Sequence, residues 1–219
     1  VGESAPLWET LELRAAAGET LRPGGFALTD RAADMIGVVP GWRVLDVGSG
    51  LGATVERLRS RYGAEAWGVE SSVTQIERAV DSASLIPARG DALPFADQTF
   101  QAVFCECVLS LFDDSQKGIY EFCRVLKPGG YLVLADLYST DSFAAGNGSC
   151  ADRAVPLSET KAMVKKGGLT VRLVEDHSHH LRELAARLLM AGEERYCSCD
   201  RNLGYYLMIA QKEGECRAW

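Results

Sequence analysis

Residues 46–52 read Asp-Val-Gly-Ser-Gly-Leu-Gly, and no other stretch of the chain restricts its fold as tightly. The glycines recur at every second position between an apolar strand, residues 43–47, and a helix-compatible run, residues 54–62. Such spacing lets a chain turn sharply from strand into helix and lets a ligand approach bare backbone. Glu70 closes the next apolar run, twenty residues beyond Gly50, where an acid can accept hydrogen bonds from ribose hydroxyls. These two features also fit a nicotinamide enzyme. Asp91 separates the readings. It lies in Gly-Asp-Ala-Leu-Pro-Phe, residues 90–95, just after a third strand at 86–89. A carboxylate there can accept from the exocyclic amine of adenine, with Leu93 and Phe95 walling the ring. Taken singly, each element has a plainer reading: a tight turn, a solvated strand-end Glu, a turn Asp before Pro.

Around this core the periodicity alternates. Helices are expected at 7–17, at 30–37 with Thr29 as cap, at 54–62, and at 73–83 with Val73, Ile76 and Val80 on one face. Further helices fall at 115–126, at 158–166 capped by Ser158, and at 181–190. Strands are expected at 43–47, 66–69, 86–89, 100–108, 131–136, 169–174 and 203–211, with a Lys-Pro-Gly-Gly turn at 127–130. Strands alternating with helices imply a parallel sheet with right-handed crossovers, and the last strand has room only to run antiparallel. The organisation expected is one domain over residues 1–219. Residues 1–40 form an N-terminal helical cover, and 176–202 a helical insertion at the ligand edge. Within that insertion Leu181, Leu184, Ala185, Leu188 and Leu189 make one apolar stripe, the mark of a lid packed on the N-terminal helix and the 137–156 loop.

Composition removes some functions. A formal charge of −7 over 219 residues offers no footprint for a nucleic-acid backbone. No apolar run reaches membrane-spanning length, and no secretory signal opens the sequence. The seven cysteines form no C-x-x-C framework, so they read as reduced and the location as cytoplasmic. Cys105 and Cys107 flank Glu106 and, on a strand, share a face. Cys197, Cys199 and Cys150 could hold a soft metal or a metalloid, yet one-residue spacing is a poor zinc frame, and buried cysteine is often a small hydrophobe. No metal is expected. His177, His179 and His180 follow strand six. Their plain reading is a solvated cluster capping the next helix; the functional one is a base at the ligand edge.

The motifs Asp-Val-Gly-Ser-Gly-Leu-Gly, Glu70, residues 90–95 and the run from 121 to 136 resemble class I S-adenosylmethionine-dependent methyltransferases. They are most similar to the type 11 methyltransferase domains, which include ubiquinone and menaquinone biosynthesis enzymes. Specific motifs cover residues 22–136. The resemblance implies an α/β, Rossmann-like sheet of seven strands in the order 3-2-1-4-5-7-6 with strand seven antiparallel. It implies S-adenosyl-L-methionine as cofactor, held by Asp46, Gly48, Ser49, Gly50 and Gly52 at the methionine end, Glu70 and Ser71 at the ribose, and Asp91, Ala92 and Leu93 at the adenine. Cys105 and Glu106 fall where cofactor and substrate meet. A Pro-Gly-Gly run like that within residues 21–31 lies near the cofactor in some relatives. The activity implied is methyl transfer to a small-molecule O, C or S nucleophile, by a monomer or homodimer, with a thiol or metalloid acceptor as the alternative. Glu106, His177 and Asp136 are candidate bases. Outside that class stand a nicotinamide oxidoreductase and a cofactor-binding protein without catalysis.

Overall fold

Alternating burial along the strands builds two apolar layers, one on each face of a single sheet. The computed structural model describes residues 7–140, 153–192 and 202–214. Its seven strands are β1 (Arg43–Val47), β2 (Glu65–Glu70), β3 (Leu85–Pro87), β4 (Phe100–Glu106), β5 (Leu126–Ser139), β6 (Leu169–Asp176) and β7 (Leu203–Lys212). They lie in the order β3-β2-β1-β4-β5-β7-β6. β1, β2, β3, β4 and β5 pair in parallel, while β7 runs antiparallel to both β5 and β6. This is the expected fold.

Val44, Ala66, Ala102, Phe104, Val133 and Leu207 face one layer. Their neighbours Leu45, Val69, Val103, Leu132, Leu134 and Met208 face the other. The period of two forces that division, and central parallel strands apolar on both sides need helices on both sides. α2 (Gly25–Ile36) and α3 (Ala53–Tyr62) cover the first layer, and α5 (Ser115–Val125) and α6 (Leu157–Lys166) the second. The remaining helices are α1 (Leu11–Ala17), α4 (Val73–Arg78) and α7 (Ser178–Met190).

Four expectations change. α2 begins at Gly25 with Gly24 at the N-cap, so Thr29 lies within the helix rather than capping it. α4 stops at Arg78, leaving Val73 and Val80 62% and 95% exposed. Of the expected face only Ile76 packs on the core. Ser158 lies inside α6, which starts at Leu157 behind Pro156 without a side-chain cap. Lys-Pro-Gly-Gly is no separate turn. Phe100 pairs with Leu126 and Ala102 with Tyr131, so residues 127–130 bulge out of β5 opposite Gln101. Cys150, Cys197, Cys199, most of the 137–156 loop, the end of the 176–202 insertion and the last residues of the tail lie outside the described residues. Cys105 and Cys107 are free thiols, but Cys123, buried on α5, is disulfide-bonded, which corrects the expectation of reduced thiols throughout. Among the described residues no helix is long and apolar enough to cross a membrane.

Candidate active site

The glycine loop leaves β1 at the edge where the parallel strands end. Gly48 adopts φ +71°, and a Cβ there would stand 2.4 Å from Val108 Cγ2, so no other residue fits. The loop spends its own N–H groups internally. Gly48 and Ser49 donate to the Val69 carbonyl at 2.7 and 3.1 Å, and Gly52 donates to Ser49 O at 2.8 Å. Gly50 donates to Glu70 Oε2 at 2.8 Å. Ser49 Oγ turns down onto Gly68 of β2 and has no partner among the described residues.

Carboxylates line the same edge. Asp46 is buried, and its pKa is pushed up to about 8 by desolvation and then by the nearby charge of Glu106. Glu70, at the end of β2, also accepts from Ser72 N at 2.8 Å. Ser71 is exposed beside it. Asp91 accepts two bonds from Arg89, at 2.9 and 3.0 Å, and these hold its carboxyl below the ordinary range. Ala92 is exposed next to it. Leu93 and Phe95 do not stand free to wall a ring. Leu93 is buried in the core, and Phe95 packs edge-on against Phe100 with centroids 4.8 Å apart.

At the end of β4, Glu106 is almost wholly buried and ion-paired to Arg22, with Nη2 to Oε2 at 2.6 Å. Thr29 Oγ1 donates to the same carboxylate at 3.1 and 3.2 Å, and Thr54 Oγ1 at 3.3 Å. Both oxygens of this carboxylate are thus engaged by Arg22, Thr29 and Thr54. Cys107 has φ +63° just past β4, so Cys105 packs in one apolar layer and Cys107 against the other. The shared face expected of them does not form. Burial pushes the Cys105 thiol well up, away from thiolate chemistry. Asp136, at the edge on β5, accepts from Ser110 N, Ser110 Oγ and Leu137 N, and burial lifts it to about 6.

Sequence reasoning flagged the 21–31 segment but missed Arg22, and it missed Tyr205 altogether. Both are buried, and Arg22 Nε and Tyr205 Oη have no hydrogen-bond partner among the described residues. The available signal was a basic residue in an otherwise apolar and glycine-rich approach to the strand. His177 sits at the N-cap of α7 with Glu175, His179 and His180 as neighbours, not among the loop carboxylates.

The N-terminal segment lies over the edge. Glu9 Oε1 accepts from Ser72 Oγ at 2.7 Å, and Gln75 Nε2 donates to Trp8 O. Leu13 of α1 packs with Leu184 and Leu188 of α7. Leu189, expected in the same stripe, is 51% exposed.

A seven-stranded sheet in this order, with a glycine loop after β1 and acids after β2 and β3, is the class I methyltransferase fold. A family profile described as "Methyltransferase domain" matches residues 45–134. The 27-O-demethylrifamycin SV methyltransferase of Amycolatopsis mediterranei (strain S699) is 30% identical over 233 residues, 88% of this chain and 85% of its own length. The demethylmenaquinone methyltransferase of Renibacterium salmoninarum is 36% identical over 106 residues, 47% of this chain and 44% of its own. In fold, the solved phosphoethanolamine N-methyltransferase 2 of Haemonchus contortus matches with a TM-score of 0.79 at 18% identity, over 93% of this chain and 56% of that one. The chain belongs to the methyltransferase-domain family of enzymes whose methyl donor is S-adenosyl-L-methionine.

Proposed function

We propose that the carboxylate-lined edge holds S-adenosyl-L-methionine and that the protein methylates a small organic acceptor, a hydroxyl oxygen first among the candidates. One observation carries the cofactor assignment. The N–H groups of Gly48, Ser49, Gly50 and Gly52 are all satisfied within the protein, while Asp46, Glu70 and Asp91 supply acceptors around them. A pyrophosphate wants free N–H donors at such a loop; a ligand carrying ammonium and sulfonium charges wants carboxylates. The arrangement therefore supports the methyl donor over a nicotinamide dinucleotide. In this reading Asp46, with Gly48, Ser49, Gly50 and Gly52, borders the methionine end, Glu70 and Ser71 the ribose, and Asp91, Ala92 and the Leu93 backbone the adenine. Cys105 lies beneath.

The sulfonium methyl is activated already, so the protein's part is alignment and exclusion of water. Within the expected cover and insertion, residues 7–40 and 176–192 supply the exclusion. Oxygen is favoured because the rifamycin relative is named for O-methylation, and because Cys105 and Cys107 point to opposite layers and so make no thiol or metalloid clamp. Glu106, Asp136 and His177 are the candidate bases, Glu106 being held by Arg22, Asp136 by Ser110 and His177 by Glu175. The test is calorimetry of S-adenosylhomocysteine with Glu70→Ala. A carboxylate accepting from ligand hydroxyls is worth about 1.5–3 kcal/mol, so affinity should fall roughly tenfold or more. Unchanged affinity sinks the assignment.

A further inference from the structure

The chain's three histidines, His177, His179 and His180, come together at the start of α7. One ring nitrogen of each lies within 4.8 Å of those of the other two. The His177 and His180 rings stack at 12° with centroids 5.9 Å apart, and those of His179 and His180 are 4.0 Å apart. The two nitrogens of His177 differ. Nε2 stands 3.0 Å from Glu175 Oε2. Nδ1 is buried and has no partner among the described residues. Glu175 is itself clamped by Arg31, with Nε to Oε2 at 2.7 Å and Nη2 to Oε1 at 2.5 Å. A carboxylate on one ring nitrogen fixes the tautomer and leaves the lone pair of the other for an ion, which is how metal-binding histidines are oriented. His180 repeats the pattern, with Nδ1 3.4 Å from Glu183 Oε2.

We propose that His177, His179 and His180 bind one divalent transition-metal ion of the zinc type, with Glu175 and Arg31 orienting His177. Imidazole donors suit zinc, copper and nickel and not magnesium or calcium. Ligand bonds of about 2.0–2.1 Å at a tetrahedral centre bring nitrogens to roughly 3.4 Å of one another. Rotations of the exposed His179 ring and the half-buried His180 ring close that gap. Three nitrogens leave a fourth position for water or a donor atom of the acceptor. The His180 ring lies against the N-cap of α2, where a Cβ on Gly24 would stand 3.0 Å from His180 Cδ2. His177 used as a ligand is removed from the role of base. The site departs from the metal-free expectation, which weighed the cysteine spacing.

The test uses full-length protein without a histidine tag, stripped with chelator and titrated with Zn²⁺ by calorimetry and with Co²⁺ by visible spectroscopy. One ion per chain is expected, without thiolate-to-cobalt charge transfer. His177→Ala/His179→Ala/His180→Ala should abolish binding, and Glu175→Gln should weaken it about tenfold or more. Circular dichroism checks that each variant folds. If the triple variant does not fold, His179→Ala carries the test, because its ring is exposed; it should also weaken binding about tenfold or more. Absence of stoichiometric binding in the parent protein overturns the proposal, as does binding in a folded His variant equal to that of the parent.

Discussion

Asp46 ties a single residue to two measurable pH effects. Its folded pKa, about 8, lies above the ordinary 3.8. The stability linked to this group is therefore complete below about pH 4 and is lost as pH rises through 8. Cofactor-free protein should lose stability from about pH 4 to 8, and Asp46→Asn should flatten that loss and raise Tm at the alkaline end by roughly 2–4 °C or more. Calorimetry reads the second effect. A ligand that carries an ammonium and a sulfonium group favours the carboxylate, so S-adenosylmethionine binding near pH 7 should release protons, with an enthalpy that varies with the buffer's ionisation heat. A buffer-independent enthalpy would separate Asp46 from the methionine end. The Arg22–Glu106 pair makes a different prediction. Arg22→Met leaves a buried charge without its partner, which costs about 3–5 kcal/mol, whereas Arg22→Met with Glu106→Gln should recover most of it. Urea midpoints decide; equal loss in both variants means the pair is not what holds that corner. The positions of Glu70 and Asp91 at the strand ends were legible because they stand at fixed offsets from the glycine loop. Arg22 was not, because its partner lies 84 positions away in the chain.

At the scale of elements, helix ends were harder to read than helix faces. α2 starts at Gly25 because Gly24 takes a left-handed φ of +73° and serves as the N-cap. Local propensity makes Gly-Gly a breaker, but this start places Thr29 in the helix facing Glu106. α4 breaks off because the chain must reach β3 through a single turn at Ser82–Ser84, and Val80 loses its packing. The end of α5 has an unusual stop. Lys212 of β7 is buried, and its Nζ donates to Cys123 O at 2.8 Å and Leu126 O at 2.7 Å. A cation there satisfies helix carbonyls that would otherwise be orphaned. Lys212→Met should destabilise by about 1–3 kcal/mol in chemical denaturation; a loss near zero would show that water replaces the amine.

For the whole molecule, the open question is what α1 and α7 do together. Leu13, Leu184 and Leu188 form a satellite cluster apart from the two sheet layers, and Arg187 reaches Ala16 O at 3.4 Å. A small cluster of this kind opens more readily than a core, as a cover over a ligand edge must. Hydrogen exchange should show residues 178–190 protected when S-adenosylhomocysteine binds. Protection of the glycine loop alone, with α7 unchanged, would remove the lid role. The strand order was implied by the resemblance to class I methyltransferases; by itself the sequence determined the alternation of strands with helices, the reversal of β7, the glycine loop and the acids after β2 and β3. These follow from short-range rules: a period of two, turn chemistry and the handedness of crossovers. The burial of Arg22 against Glu106, the inward turn of Leu93 and Phe95, the ion pair of Arg31 with Glu175 beside His177 and the approach of His180 to Gly24 were decided only by tertiary structure. Each depends on which distant segment fills the space beside a residue, and spacing along the chain does not encode that contact.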